Sequence, residues 1–241
     1  MKRALLEALN EARADRRAAI LVSELATGSQ RLVLEDEGFA GDPLEAEFAA
    51  RFASAKSGMI ETPAGDVFLT VHVPPPRLIV IGAVHISQAL APMAAIAGFH
   101  VEIVDPRTAF ASEDRFPGVN LHADWPEDVL PGLAVDRFTA LAALTHDPKI
   151  DDWALQHAIE RGCFYIGALG SRKTHGKRVE RLTAAGLSEA ALAAIRAPIG
   201  LDIRAQSPAE IAVAVLAQVI EALRKRDATE SAVPKQGANA A

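Results

Sequence analysis

Four short clusters in the second two-thirds of this 241-residue chain combine glycine, hydroxyl, imidazole and charged groups, and each follows an apolar run. They are Gly82-Ala83-Val84-His85-Ile86-Ser87, Asp105-Pro106-Arg107, Thr145-His146-Asp147 and Gly167-Ala168-Leu169-Gly170-Ser171-Arg172-Lys173. Their shared chemistry is anion recognition: glycine frees backbone amides, a helix start points those amides outward, and Arg or Lys adds fixed charge. In the first cluster only Gly82 remains of a G-x-G-x-x-G pattern, with Val84 and Ser87 in the other two glycine places. The second glycine of that pattern lets the backbone approach pyrophosphate, and the third lets helix pack on strand. A Val and a Ser there predict an altered or lost dinucleotide site.

Asp105 lies about twenty residues after the first cluster, where an acid can accept hydrogen bonds from a ribose diol. Arg107 beside it can pair with phosphate instead, so the two do not decide between NAD and NADP. The competing structural reading has Asp105 capping a turn and Arg107 solvated. His85 opens a helix, whose positive end favours neutral imidazole; it either orients a ligand or packs as a cap. His146, flanked by Thr145 and Asp147, can transfer protons or bind an anion, which makes His146 and Asp147 the catalytic candidates. Three adjacent residues cannot form a Ser-His-Asp triad, whose members converge from separate segments. The run Gly167 to Lys173 is a second phosphate cradle: Gly167 and Gly170 free the backbone, Ser171 can cap a helix, and Arg172 and Lys173 are cationic. Lys177, Arg178 and Arg181 extend that charge along the same helix, and a solvated basic face is the plainer alternative.

These clusters need a scaffold that brings strand ends together. The sequence predicts strands at Leu78–Ile81, Val101–Val104, Asn120–Ala123, Thr139–Thr145 and Phe164–Gly167. Helices are predicted at His85–Ala97, Ile150–Arg161, Lys173–Ala185, Ser188–Ile195 and Pro208–Lys225. Near-continuous apolar strands alternating with helices imply an α/β, Rossmann-like, doubly wound parallel sheet, in which ligands bind beyond the strands' carboxyl ends. For the last helix, Ser207, Pro208 and Glu210 form a capping start. The first 73 residues read as a small α+β domain with helices near Lys2–Arg13 and Leu44–Ala55. Its strands are expected at Ala18–Leu25, Arg31–Glu35, Met59–Glu61 and Asp66–Val73. Pro74-Pro75-Pro76 reads as a stiff linker, residues 77–226 as the Rossmann-like domain and 227–241 as a disordered tail.

A formal net charge of -6 weighs against a nucleic-acid partner. No apolar run suggests a membrane span and Met1-Lys2-Arg3 does not lead into a signal peptide, so a cytoplasmic location is expected. The single cysteine, Cys163, sits in an apolar run and reads as a buried small hydrophobe. The seven histidines show no metal-ligand spacing, so no metal site is assigned.

The motifs, taken in order, resemble the C-terminal Rossmann domain of the XdhC/CoxI family over roughly Leu78 to Leu223. The resemblance is carried by Ile79–Ile86, Asp105-Pro106-Arg107, Arg115-Phe116-Pro117, Thr145-His146-Asp147, Tyr165–Lys173, Ala197–Ile203 and Ser207–Ala212. It implies an accessory protein that binds molybdenum cofactor (molybdopterin) and protects it while a cysteine desulfurase sulfurates it. The cofactor then passes to the apo-enzyme of a molybdenum hydroxylase such as xanthine or carbon monoxide dehydrogenase; a homodimer is implied on the same grounds. The family's G-A-G-H-V-G reads Gly82-Ala83-Val84-His85-Ile86-Ser87 here. The G-G-C-x-E motif of the family's N-terminal domain has no counterpart, because no cysteine precedes Pro74. The alternatives are an oxidoreductase using NAD(P) or a flavin nucleotide, with His146 as acid or base, and a scaffold protein that has lost its ligand.

Overall fold

The computed structural model describes the backbone of residues 2–230 and the side chains through residue 226. It separates into two compact units, one spanning Pro75–Leu223 and the other made of the remainder. In the N-terminal unit, α1 (Arg3–Ala14) leads to β1 (Ala19–Glu24) and β2 (Gln30–Leu34); α2 (Glu45–Ser54) leads to β3 (Gly58–Thr62) and β4 (Gly65–His72). The four strands form an antiparallel sheet in the order β2-β1-β4-β3. Central β1 is buried from Ala19 to Val22, and Leu9 and Ala12 of α1 pack with Ala19. On α2, Phe48 and Phe52 both meet the ring of Phe39, at centroid distances of 5.7 and 5.8 Å.

In the second unit the chain alternates strand and helix. It runs β5 (Arg77–Ile81), α3 (His85–Ile96), β6 (His100–Val104), β7 (Asn120–His122), α4 (Pro126–Val129), β8 (Thr139–Ala143) and α5 (Pro148–Glu160). There follow β9 (Tyr165–Ala168), α6 (Arg172–Ala184), α7 (Glu189–Leu192), β10 (Ile195–Arg196) and α8 (Pro208–Glu230). The six strands are all parallel and ordered β10-β9-β8-β5-β6-β7. Renumbered from β5, that is the 3-2-1-4-5-6 order of a doubly wound dinucleotide-binding sheet, whose direction of winding reverses between β5 and β8.

Strand alternation divides the core in two. Leu78 and Val80 point to the face covered by α3 and α8, with Leu90, Ala94, Val215 and Val219 around them. Ile79 and Ile81 point to the opposite face, with Ile150, Ala154 and Leu155 of α5 and Leu182 of α6. Burial on both faces explains why β5 and β8 read as unbroken apolar runs.

Three expectations need correcting. The predicted helix Ser188–Ile195 stops after one turn at Leu192, and Ile195–Arg196 becomes the sixth strand, paired in parallel with Ile166 and Gly167. Burial of Ile195 against the sheet accounts for the switch, because a two-residue strand has no periodicity of its own to be read. β8 ends at Ala143, two residues short of the expected Thr145, so Thr145-His146-Asp147 is loop. Finally, α8 continues to Glu230, past Arg226 where the tail was expected to begin; the remainder of that tail lies outside the described residues.

Candidate functional site

The first cluster is organised around Gly82, which leaves β5 at φ +117° with its amide donating to Val104. A Cβ at this position would strike the Thr145 methyl at 2.9 Å and the Thr145 amide nitrogen at 3.3 Å. Gly82 therefore permits β5 and the loop after β8 to approach closely at the point where winding reverses. Ala83 follows, and its amide donates to Asp105 Oδ2 at 2.7 Å. Val84 caps α3 from an extended conformation and packs its side chain against the core; His85 is exposed, with Nδ1 3.1 Å from Gln88 Oε1. Ser87, in the third glycine place, is wholly buried and donates to the Gly82 carbonyl at 2.5 Å.

Asp105 is also wholly buried, and both its oxygens are engaged. Oδ1 accepts from the Arg107 amide and Nε at 2.9 Å each, and Oδ2 accepts from Arg107 Nη2 at 2.8 Å as well as from Ala83. Burial alone would raise this carboxyl, but Arg107 and the two amides hold it below the usual carboxylate range. Asp105 thus caps its own turn, the alternative the sequence left open, and ties the β6 loop to the β5 loop. The guanidinium that would take phosphate closes the pair and lies 4.8 Å over the ring of Phe110. Arg115 adds a second tie, donating from Nη1 to the carbonyls of Ala83 and Phe110. The dinucleotide end of the crevice is thus bonded internally.

The β8 and β9 loops are built differently. A cavity of about 360 Å³ lies between α5 and α6, lined by His146, Pro148, Asp151, Asp152, Lys173, Thr174, Lys177, Arg178 and Arg181. His146 stands at its rim with φ +63°; desolvation and then the charge of Arg178 lower its pKa, favouring neutral imidazole. Asp147 is the N-cap of α5, accepting from the Lys149 amide at 3.0 Å, which gives this catalytic candidate a structural task. Thr145 donates its hydroxyl to Asp151 Oδ1 at 2.7 Å. In the last cluster Gly167 and Gly170 differ in purpose. A Cβ on Gly167 would meet Tyr165 Oη at 2.5 Å and Ile199 Cγ1 at 2.6 Å, so Gly167 serves packing. Gly170, at φ +136°, makes room for the first turn of α6, where an added Cβ would lie 3.1 Å from the Thr174 methyl, with His146 Nδ1 farther off at 3.7 Å. Ser171 caps α6 by accepting from the Thr174 amide at 3.2 Å. Lys173 reaches the cavity, whereas Arg172 is exposed and outside its lining.

Two lining residues carry most of the chemical interest. Arg178 is 2% exposed; Nη2 donates to the Leu169 carbonyl at 3.0 Å, while Nε and Nη1 have no hydrogen-bond partner. Asp151 is 1% exposed, and its Oδ2 likewise has no partner. Burial pushes the Asp151 carboxyl up to about 6, against the opposing pull of Thr145 and Arg178. Arg181 is neutralised by Asp152 at 2.6 and 3.0 Å. Sequence reasoning passed over Asp151, which reads as a first-turn acid stabilising its own helix. It placed Arg178 in the charge run that extends the anion site along α6, with a solvated face as the alternative, and the spacing to Leu182, four residues on and also buried, was the available signal that Arg178 is buried. Away from the cavity, burial pushes the Cys163 thiol up to about 12, making it unreactive. No helix among the described residues is long and apolar enough to cross a membrane.

Similarity to known proteins agrees with this architecture. Residues 78–219 match the XdhC Rossmann domain. A probable xanthine dehydrogenase subunit of Bacillus subtilis (strain 168) is 33% identical over 162 residues, covering 67% of this chain and 47% of the relative. The "Molybdenum cofactor insertion chaperone PaoD" of Escherichia coli (strain K12) is 32% identical over 158 residues, covering 66% and 43%. The uncharacterized protein YqeB of the same E. coli strain is 33% identical over 162 residues, covering 66% and 29%. The chain thus spans less than half the length of these curated relatives. The crystal structure of a xanthine dehydrogenase from Bacillus halodurans superposes with a TM-score of 0.68 at 26% identity, over 95% of this chain and 69% of that one. With more than half of its length matched to the Rossmann domain, this chain belongs to the XdhC family.

Proposed function

We propose that this chain is a maturation factor that holds molybdenum cofactor as cargo and delivers it to the apo-enzyme of a molybdenum hydroxylase. One observation carries the reading: the cavity between α5 and α6 keeps a buried guanidinium, Arg178, with two unbonded donor atoms facing no protein acceptor. Such a group is costly unless an anion completes it, and a pterin cofactor bearing phosphate is an anion of that kind. The PaoD relative is named for cofactor insertion and the B. subtilis relative for xanthine dehydrogenase, which supports cargo and client. The locked Asp105–Arg107 pair leaves a ribose diol no acceptor, which argues against an NAD(P)-dependent oxidoreductase.

In this reading Lys173, Lys177 and Arg178 grip the charged end of the cargo, with His146 and Gly170 at the rim where the rest emerges. Protection during sulfuration by a cysteine desulfurase, action in the cytoplasm and a homodimeric assembly belong to the same proposal. With no cysteine before Pro74 and burial raising the Cys163 thiol, a thiol contact to the cargo is either absent or supplied by a partner. The test is calorimetric titration of the purified chain with molybdopterin, which should show saturable binding at micromolar concentration. Absence of saturation overturns the reading.

A further inference from the structure

Arg178 and Asp151 line one cavity, each is essentially buried, and each leaves polar atoms unbonded, yet no ion pair joins them. The simplest way for a fold to satisfy two such groups is to bring them together, because an uncompensated buried charge is among the most costly features a protein can carry. Here each instead keeps its unbonded atoms just beneath the wall of the cavity that both residues line. Whatever completes the cavity must offer acceptors to Arg178 Nε and Nη1, and must also satisfy Asp151 Oδ2. A cation would face Arg178 directly. A fully ionised oxyanion would face a second negative charge when Asp151 is ionised. A phosphate group that shares one proton with Asp151 satisfies both sides: its bare oxygens accept from the guanidinium, and a single O–H···O bond joins it to the carboxyl.

We propose that the cavity between α5 and α6 is a phosphate-monoester site, in which Arg178 binds the oxyanion and Asp151 holds a shared proton against it. The inference rests on the cofactor-delivery reading only for what carries the phosphate. The position of Asp151 is fixed from the loop side by Thr145, whose hydroxyl occupies Oδ1 and leaves Oδ2 the unbonded oxygen. Lys173 and Lys177, one turn apart on α6, add charge at the mouth, while Arg181 is already neutralised by Asp152. A cavity of about 360 Å³ has room for a phosphate group and the first atoms of its ester. The other charged or titratable groups around Asp151 are His146 and the N-cap Asp147 on the loop, Asp152 on α5, Arg181 on α6 and, at longer range, Arg107. A phosphate monoester has its second ionisation near pH ~6, in the range where Asp151 also titrates, so proton sharing is closely matched.

The experiment titrates the full chain with inorganic phosphate, phenyl phosphate and sulfate, read by calorimetry and thermal shift, and then with molybdopterin. Saturable binding of both phosphates is expected, with phenyl phosphate the tighter; tighter binding of inorganic phosphate would overturn the monoester assignment. Near pH ~7 sulfate, which brings no proton, should bind about tenfold more weakly than phosphate. Asp151→Asn should abolish that discrimination, since an amide donates equally to both. Arg178→Gln should weaken phosphate by more than about tenfold. Because that buried change can impair folding, Lys177→Ala at the exposed mouth provides a second arm; it should weaken phosphate a few-fold while circular dichroism and Tm stay unchanged. No saturation by either phosphate, or phosphate binding unmoved by both cation variants, overturns the site. Molybdopterin binding that Lys177→Ala leaves intact, in the absence of phosphate binding, would sink the site and spare the delivery reading. Phosphate binding without molybdopterin binding would do the reverse.

Discussion

Asp105 and Arg107 form a two-point ion pair within a three-residue step, with Nε and Nη2 of the arginine at 2.9 and 2.8 Å from the two carboxylate oxygens. Because Asp105 also accepts from Ala83 at 2.7 Å, this one carboxylate ties the loops after β5 and β6 together at the end of the sheet where a dinucleotide would otherwise lie. The glycine pattern is therefore not the only feature that shapes this end of the crevice. Restoring it with the double substitution Val84→Gly, Ser87→Gly should not create NAD binding. The variant should instead lose about 2 kcal/mol, from the Ser87 hydrogen bond and from glycine in a helix. Thermal shift with NAD, NADP, FAD and AMP checks both halves; a ligand at a hundred times its dissociation constant would raise stability by about 2.7 kcal/mol, an effect easily seen.

Breaking the pair itself has a stability signature. Asp105→Asn leaves Arg107 without its countercharge, and the cost should be about 2–3 kcal/mol, below the figure for a fully buried pair because the Arg107 side chain is 34% exposed. The pH dependence follows from the direction of the shift. A carboxyl held below its ordinary value contributes stability that is complete above the unfolded-state pKa, near 4, and is lost as pH falls through the lower native value. Urea unfolding of the parent should thus show a loss in acid that Asp105→Asn lacks.

Much of this scaffold could be read before folding. The apolar runs at Leu78 and Leu141 are strands because both faces of the sheet are covered, and the glycine after Ile81 marks a turn that only φ +117° satisfies. The site was harder to read. Lys177, Arg178 and Arg181 look alike as a basic run, and only the packing of α6 on α5 decides that Arg178 is buried, Arg181 paired and Lys177 exposed. Asp151 was equally silent, since an acid in a first helical turn has a sufficient local reason to be there. The role of Asp105 depends on a neighbour two residues away folding back on it, a matter of rotamer rather than of pattern.

Asp151 should give the opposite acid behaviour from Asp105. Its native carboxyl is raised by burial to about 6, from an ordinary value of 3.8, so protonation favours the folded state. The stabilising contribution is complete below pH ~4 and is lost as pH rises through about 6, amounting to about 3 kcal/mol across that window. Asp151→Asn keeps an acceptor for the Thr145 hydroxyl and removes the titration. Its stability should therefore vary less than the parent's between pH ~4 and ~7 in phosphate-free buffer, measured by chemical denaturation. A parent curve that is flat across this range would mean Asp151 titrates normally.

Gly167 separates packing from ligand binding within the same glycine run. Its missing side chain is required by Ile199, whose Cγ1 and Cδ1 would lie 2.6 and 2.7 Å from an added Cβ, and by the Tyr165 hydroxyl at 2.5 Å. That hydroxyl cannot easily retreat, because it donates to Gln218 Oε1 at 2.7 Å and Gln218 also accepts from the Gly200 amide at 2.9 Å, linking α8 to the segment after β10. Gly167→Ala should accordingly destabilise by about 2–3 kcal/mol through overpacking. Ile199→Ala alone should cost a similar amount by leaving a cavity. Combined, the two changes relieve each other on the Ile199 side, so the double variant should be about 1–2 kcal/mol more stable than the sum of the singles predicts. Additive losses would show that the steric conflict with Tyr165 alone decides why this position is glycine.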